Sequence, residues 1–87
     1  MWHVEFDVRA AKELDKLDPV TKKRITDFLQ ERIETEEDPH RFGKALTSNL
    51  AGLWRYRIGD YRIICLIQDD KLLVLALKVG HRRQIYR

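Results

Sequence analysis

The chain has 87 residues, 44% hydrophobic and 36% charged, with a formal net charge of +3; that is room for one domain over residues 1–87 and excludes a two-lobed enzyme, a disordered tail or a fibrous repeat. The single cysteine, Cys65, excludes a disulfide framework and a cysteine-rich zinc module and suits a reducing cytoplasm. No apolar run approaches the ~18 residues of a membrane span, and the charged start has no signal-peptide core.

Trp2, Val4 and Phe6 alternate with His3 and Glu5, which predicts a first strand. Asp7 can cap a short helix in which Ala10, Leu14 and Leu17 share a face. Asp18-Pro19 starts a second helix, with Asp18 as N-cap and Pro19 at the first helical position. Ile25, Phe28, Leu29 and Ile33 give it an apolar stripe through about Glu36, and Asp38-Pro39 ends it. Residues 39–52 are irregular and read as a long connection. Leu53–Ile58, Tyr61–Ile67 and Lys71–Val79 read as three strands joined by two-residue turns at Gly59-Asp60 and Asp69-Asp70. The order β-α-α-β-β-β predicts an α+β domain, an antiparallel sheet with two helices packed on one face.

Charge is divided unevenly along this order. Residues 1–52 carry nine Lys and Arg against eleven Asp and Glu, whereas residues 53–87 carry eight against three. Six of the eight are arginines: Arg55, Arg57, Arg62, Arg82, Arg83 and Arg87. Guanidinium forks match phosphate geometry, so a polyanionic partner is one reading and an ordinary solvated surface the other. Strand alternation places Arg55 and Arg57 on the face opposite Trp54 and Tyr56, and the turn at Gly59-Asp60 sets Arg57 across from Arg62. The helices need the apolar face, which leaves three arginines together on the open one. They either hold an anion or reach into solvent and pair with neighbours such as Asp60. Arg62 and Arg82 are both expected at the surface.

The segment after the last strand can fold back to the rim of that face. It brings His81, a histidine being a side chain suited to proton exchange, and Tyr86, whose ring can stack on a base. Single-residue alternatives are an exposed loop histidine and a tyrosine packing the chain end. His3, His40 and His81 are too scattered, and Cys65 too apolar in its setting, for a metal site. No glycine-rich phosphate loop or serine nucleophile motif is present, so no cofactor is implied. The acidic group Glu34, Glu36, Glu37 and Asp38 reads as a solvated helix end.

Leu53-Trp54-Arg55-Tyr56-Arg57-Ile58-Gly59-Asp60-Tyr61-Arg62-Ile63-Ile64, with Val79-Gly80-His81-Arg82-Arg83-Gln84-Ile85-Tyr86, resembles the RelE family of toxins from type II toxin–antitoxin systems, in the RelE/ParE superfamily. The resemblance extends over nearly the whole chain. It implies a RelE-like fold and an endoribonuclease that cleaves translated mRNA in the ribosomal A site without a metal, inhibiting translation. It implies a cognate antitoxin as partner, with operator DNA bound only through the toxin–antitoxin complex. Carried over by motif, Arg62 matches an active-site arginine, Arg82 a phosphate-stabilising arginine, and Tyr86 the tyrosine that stacks on the substrate base. Arg83 adjoins them as an RNA-binding residue. Arg55 and Arg57 fall where the best-known members have two lysines.

Arginine stays protonated in proteins and is a poor base, so Arg55 and Arg57 suit transition-state stabilisation, and His81 becomes the candidate for proton transfer. The sequence stops one residue after Tyr86, which would leave out the C-terminal helix some relatives carry. Two rivals stand beside the nuclease: a ParE-like inhibitor of DNA gyrase, and a non-catalytic basic module that binds an acidic peptide.

Overall fold

Two aspartates start the two helices. In the computed structural model, which describes residues 1–86, the Asp7 carboxylate accepts from the Ala10 amide at 2.8 Å and opens α1, Val8–Asp15. Asp18 accepts from the Thr21 amide and hydroxyl and opens α2, Pro19–Phe28, with Pro19 needing no amide donor in the first turn. These two hydrogen bonds hold the Asp18 carboxyl below its ordinary value of 3.8. α2 runs on into a wider π-helical turn, Leu29–Ile33, closed by the Glu34 amide donating to the Leu29 carbonyl. Ala10, Leu14, Ile25, Leu29 and Ile33 are the buried positions of these elements.

Around them lies a five-stranded sheet: β1 His3–Phe6, β2 Lys44–Ala45, β3 Trp54–Ile58, β4 Tyr61–Gln68 and β5 Leu73–His81, in the spatial order β1-β5-β4-β3-β2. The expected α+β class, with both helices on one face, is what the chain adopts. The sheet is mixed, however, because β1 runs parallel to β5, and a two-residue β2 from the supposedly irregular connection pairs with β3. A first strand followed by two helices must cross over before the sheet resumes, and that crossover permits parallel pairing. The second helix ends at Ile33, short of Glu36. There the chain serves the sheet edge: the Glu34 carboxylate accepts from the Val4 amide at 3.0 Å, and the Thr35 carbonyl accepts from the Trp2 amide at 2.9 Å. Backbone donors at the β1 edge are thus covered from within the chain.

The turn at Gly59-Asp60 has the expected two residues, with Ile58 opposite Tyr61 and Arg57 opposite Arg62. The later turn is longer than expected. Asp69–Lys71 form a 3-10 turn and Leu72 takes φ +50° before β5 begins. Within β5, Ile64 faces Lys78 while the next residue, Cys65, faces Ala76, so Leu77 is an extra residue and forms a bulge. The bulge inverts the alternation. Val74 and Ala76 point to the helices before it, and Val79 does so after it, which leaves Lys78 and Gly80 on the open face.

The core between helices and sheet includes Ile25, Ile33, Tyr56, Ile63, Cys65, Val74 and Ala76, all fully enclosed. The connection 39–52 is pinned to it by polar tips of aromatic rings. The Tyr56 hydroxyl donates to the Pro39 carbonyl at 2.8 Å and the Trp54 indole to the Phe42 carbonyl at 2.7 Å. Phe28 packs against both Phe42 and Tyr56 at 5.8 Å between ring centroids.

Gly43 is the tightest point of this arrangement. It has φ +81°, and a Cβ there would lie 2.3 Å from the Arg55 carbonyl oxygen and 2.7 Å from the Trp54 indole nitrogen. Gly43→Ala should therefore destabilise the fold by at least ~2 kcal/mol, combining left-handed strain with a backbone clash. Gly59→Ala, with φ +59° but only the movable Arg24 guanidinium at 3.1 Å, should cost about 1 kcal/mol. Urea midpoints at constant slope compare the two.

Burial pushes the Cys65 thiol up to about 12 from 9.0 and raises the Tyr56 phenol above its ordinary 10.0. The unfolded chain gives up these protons first, so stability falls as pH rises past about 9. Thermal melts from about pH 8 to about pH 11 should show a progressive fall in Tm, and at about pH 8 a thiol reagent should label Cys65 only after unfolding.

Candidate functional site

Two cross-strand rows build the open face. In the first, Lys44 pairs with Arg55, Arg55 with Ile64 and Ile64 with Lys78; in the second, Arg57 pairs with Arg62 and Arg62 with Gly80. Directly paired residues share a face, so Lys44, Arg55, Arg57, Arg62 and Lys78 all stand on the side away from the helices. The two lysines are additions to the expected cluster. Lys44 lies in a strand too short to show alternation, and the bulge moves Lys78 across the sheet; neither leaves a period-two signal in the sequence.

Arg62 departs from expectation in one respect. It is only 9% exposed, not a surface residue. Its Nη1 donates to the Gly59 carbonyl at 2.9 Å and to the Tyr61 carbonyl at 3.0 Å, so the guanidinium braces the β3–β4 turn. Burial first, then the charges of Arg57 and Arg55 and to a smaller extent Arg82, hold Arg62 below its ordinary value of 12.5, with Tyr86 opposing them. The group stays charged at any working pH. A depressed value therefore means that positive charge is disfavoured here, and an arriving anion relieves that cost. Arg55 is partly covered, and its Nε is buried with no hydrogen-bond partner. Arg57 is exposed.

The C-terminal residues fold back over this face. Gln84 and Ile85 donate to the His81 carbonyl, the Arg82 amide donates to the Asp60 carbonyl at 2.7 Å, and Ile85 is 1% exposed. Ile85 sits against Gly80, where an added Cβ would come within 3.2 Å of its Cδ1. Ile85 thereby anchors the turn, and its neighbour Tyr86, half-exposed, lies 3.5 Å from Arg55 Nη1 through its hydroxyl. Arg82 pairs loosely with Asp60 at 3.7 Å and keeps half of its side chain in solvent. Arg83 is exposed, and its amide donates to His81 Nδ1 at 3.2 Å. Arg87 lies outside the described residues.

His81 is the candidate that the structure separates from the rest. It pairs with Tyr61 and packs edge-on against that ring at 5.6 Å, on the helix side of the sheet. In a strand without the Leu77 bulge it would have pointed with Leu73 and Leu75 to the arginine face. Among the described residues, no three His, Cys, Asp or Glu side chains converge as metal ligands would, and no helix is long and apolar enough to cross a membrane.

The geometry gathers cationic side chains on an apolar and aromatic ground. Because Arg57 and Arg62 oppose each other, Arg57→Ala should raise stability by a few tenths of a kcal/mol. The same change should shrink the rise in Tm that inorganic phosphate gives the unaltered protein. Melts with and without phosphate at fixed ionic strength measure both effects.

Comparison with known proteins places these features in a lineage. Residues 4–86 match the family model described as the ParE toxin of the type II toxin–antitoxin system, parDE. Toxin RelG of Mycobacterium tuberculosis (strain ATCC 25618 / H37Rv) is 37% identical over 84 residues, 97% of this chain and 94% of that protein. Toxin RelE of the same strain is 31% identical over 86 residues, covering 99% and 87%. Among solved structures, a chain of the RelBE2 toxin–antitoxin complex of Mycobacterium tuberculosis superimposes with a TM-score of 0.83 at 33% identity, covering 93% of this chain and 91% of that one. The isolated Escherichia coli RelE toxin gives 0.72 at 23% identity, covering 93% and 84%, a likeness of fold.

Proposed function

The chain belongs to the ParE toxin family of type II toxin–antitoxin systems, within the RelE/ParE superfamily, and from that premise we propose that it is a ribosome-dependent endoribonuclease that cleaves mRNA in the A site and so stops translation in the cytoplasm. The observation that carries this reading is the cationic open face, with Arg55, Arg57 and Arg62 on adjacent strands and the half-exposed Tyr86 at 3.5 Å from Arg55. A partner antitoxin silences the toxin by covering this face or displacing the Tyr86 turn, and the complex of the two represses their operon. Toxin–antitoxin complexes among the structural neighbours support that partnership.

In the proposed reaction the ribose 2′-oxygen attacks the adjacent phosphorus, and the bond from phosphorus to the 5′-oxygen breaks. The products are a 2′,3′-cyclic phosphate and a 5′-hydroxyl. The 2′-proton leaves to an acceptor and the departing 5′-oxygen gains one. Arg62 and Arg82 meet the charge that grows on the phosphoryl oxygens, and Arg55, Arg57 and Arg83 hold the flanking backbone. Tyr86 stacks on a base and, with the ribosome, sets the in-line geometry.

His81 is not the acceptor in this reading, because its ring lies on the helix side and its Nδ1 already accepts from Arg83. Lys44 and Lys78 share the reacting face with the arginines.

Single-turnover cleavage on programmed ribosomes tests the scheme. Arg82→Ala should slow cutting by ~100-fold or more without loss of fold. Arg62→Ala should do the same and also lower the urea midpoint, since it releases two turn carbonyls. His81→Ala should stay within about tenfold of the parent, well short of the ~10²–10⁴-fold cost of removing a general base. Full cleavage by Arg82→Ala protein would refute the phosphate role.

The family model is described as a ParE toxin, and a ParE-like inhibitor of DNA gyrase is the second reading. Gyrase supercoiling in the presence of the purified toxin decides between them. Inhibition without any cut in translated message would select the gyrase branch.

A further inference from the structure

Beside the arginines, the open face holds a groove of about 520 Å³ whose wall from the connection between β2 and β3 has no part in the scheme above. Thr47, Asn49 and Leu50 line it from the connection between β2 and β3; Ile64, Lys78 and Tyr86 line it from the sheet and the C-terminal turn. Its size falls in the ~300–1,000 Å³ range of small-ligand sites. Its chemistry is graded. The floor is apolar, with Ile64 only 3% exposed, and Tyr86 supplies a half-exposed ring. The connection supplies the polar rim. Thr47 and Asn49 are both exposed, and neither the Thr47 hydroxyl nor the Asn49 amide has a hydrogen-bond partner among the described residues. Cationic side chains border it: Lys78 lines the groove, and Arg55 contacts the Tyr86 hydroxyl.

An aromatic plane, an unpaired amide and adjacent cations make up the set that recognises one nucleotide of a single strand. The ring stacks on the base, the cations take the phosphate, and the amide reads the base edge. A carboxamide carries a donor and an acceptor side by side and can pair with two edge atoms at once. Its basic border disfavours a second copy of this basic chain and suits a polyanion.

We propose that this groove receives one base of the message and that Asn49, assisted by Thr47, reads its edge and sets the nucleotide preference of cleavage. The proposal rests on the nuclease reading above. It assigns Asn49 and Thr47 to specificity and leaves the charge stabilisation with Arg62 and Arg82.

The test is single-turnover cleavage on ribosomes programmed with A-site codons in which each position is varied through the four bases. Asn49→Ala and Thr47→Val are compared with the parent protein. The expected result is a preference ratio between best and worst base that drops about tenfold in Asn49→Ala and less in Thr47→Val, through slower cutting of the preferred codon. A merely structural residue would slow all codons alike and leave the ratio intact. An unchanged ratio in both variants overturns the proposal while the nuclease reading stands. Unchanged ratios together with weaker binding of the co-expressed antitoxin also overturn it and make the groove a peptide seat. If the parent protein cuts no codon, the nuclease reading fails and the proposal fails with it.

Discussion

One extra residue in the last strand decides what this molecule shows to solvent. Leu77 is looped out opposite the Ile64/Cys65 junction, and every side chain after it points to the face opposite the one strict alternation would give. Val79 enters the core, Gly80 turns toward the arginines, and His81 goes to the helix side with Tyr61. Gly80 is then the one position beside Arg62 without a side chain. Ile85 fills that space and folds the chain end over the sheet. The placement of Tyr86 beside Arg55 follows from the bulge through Gly80 and Ile85.

The same face gathers like charge, which costs stability. Arg57 and Arg62 are directly opposed, and Lys44, Arg55 and Lys78 share the neighbouring row. The fold tolerates this because Arg57 reaches water while Arg62 spends one guanidinium nitrogen, Nη1, on the Gly59 and Tyr61 carbonyls. Part of the charge thus has a structural use. In the proposed reaction, crowded positive charge of this kind favours a ligand whose own negative charge grows, as a phosphoryl group's does in the transition state.

The other wall of the site depends on aromatic residues of the opposite face. Trp54 and Tyr56 reach across to the Phe42 and Pro39 carbonyls and hold the connection against the sheet. Gly43 permits the close approach, and β2 and the Thr47–Leu50 segment follow from it. Core packing on one side therefore sets the groove on the other, so that alternate residues of β3 serve the core and the cationic face in turn.

Much of this was legible in the sequence because it is local. Asp7, Asp18 and Pro19 mark helix starts by chemistry within four residues, and Gly59-Asp60 fixes the register that opposes Arg57 and Arg62. Period-two alternation in Trp54–Ile58 was enough to put Arg55 and Arg57 on the open face. The family motifs carried the reading on to a toxin. What tertiary structure alone decided has a common cause, which is contact between residues far apart in the chain. The parallel pairing of β1, the early end of α2 and the short β2 each depend on a partner about ten or more residues away. The burial of Arg62 depends on how its neighbours close over it. The bulge leaves no signature in Leu75-Ala76-Leu77-Lys78-Val79, since leucine and alanine suit either face. Val79 packs in the core and its amide donates to the Glu13 carboxylate at 2.9 Å, contacts that fit only the bulged register and so go with the side of the sheet that His81 and Lys78 occupy.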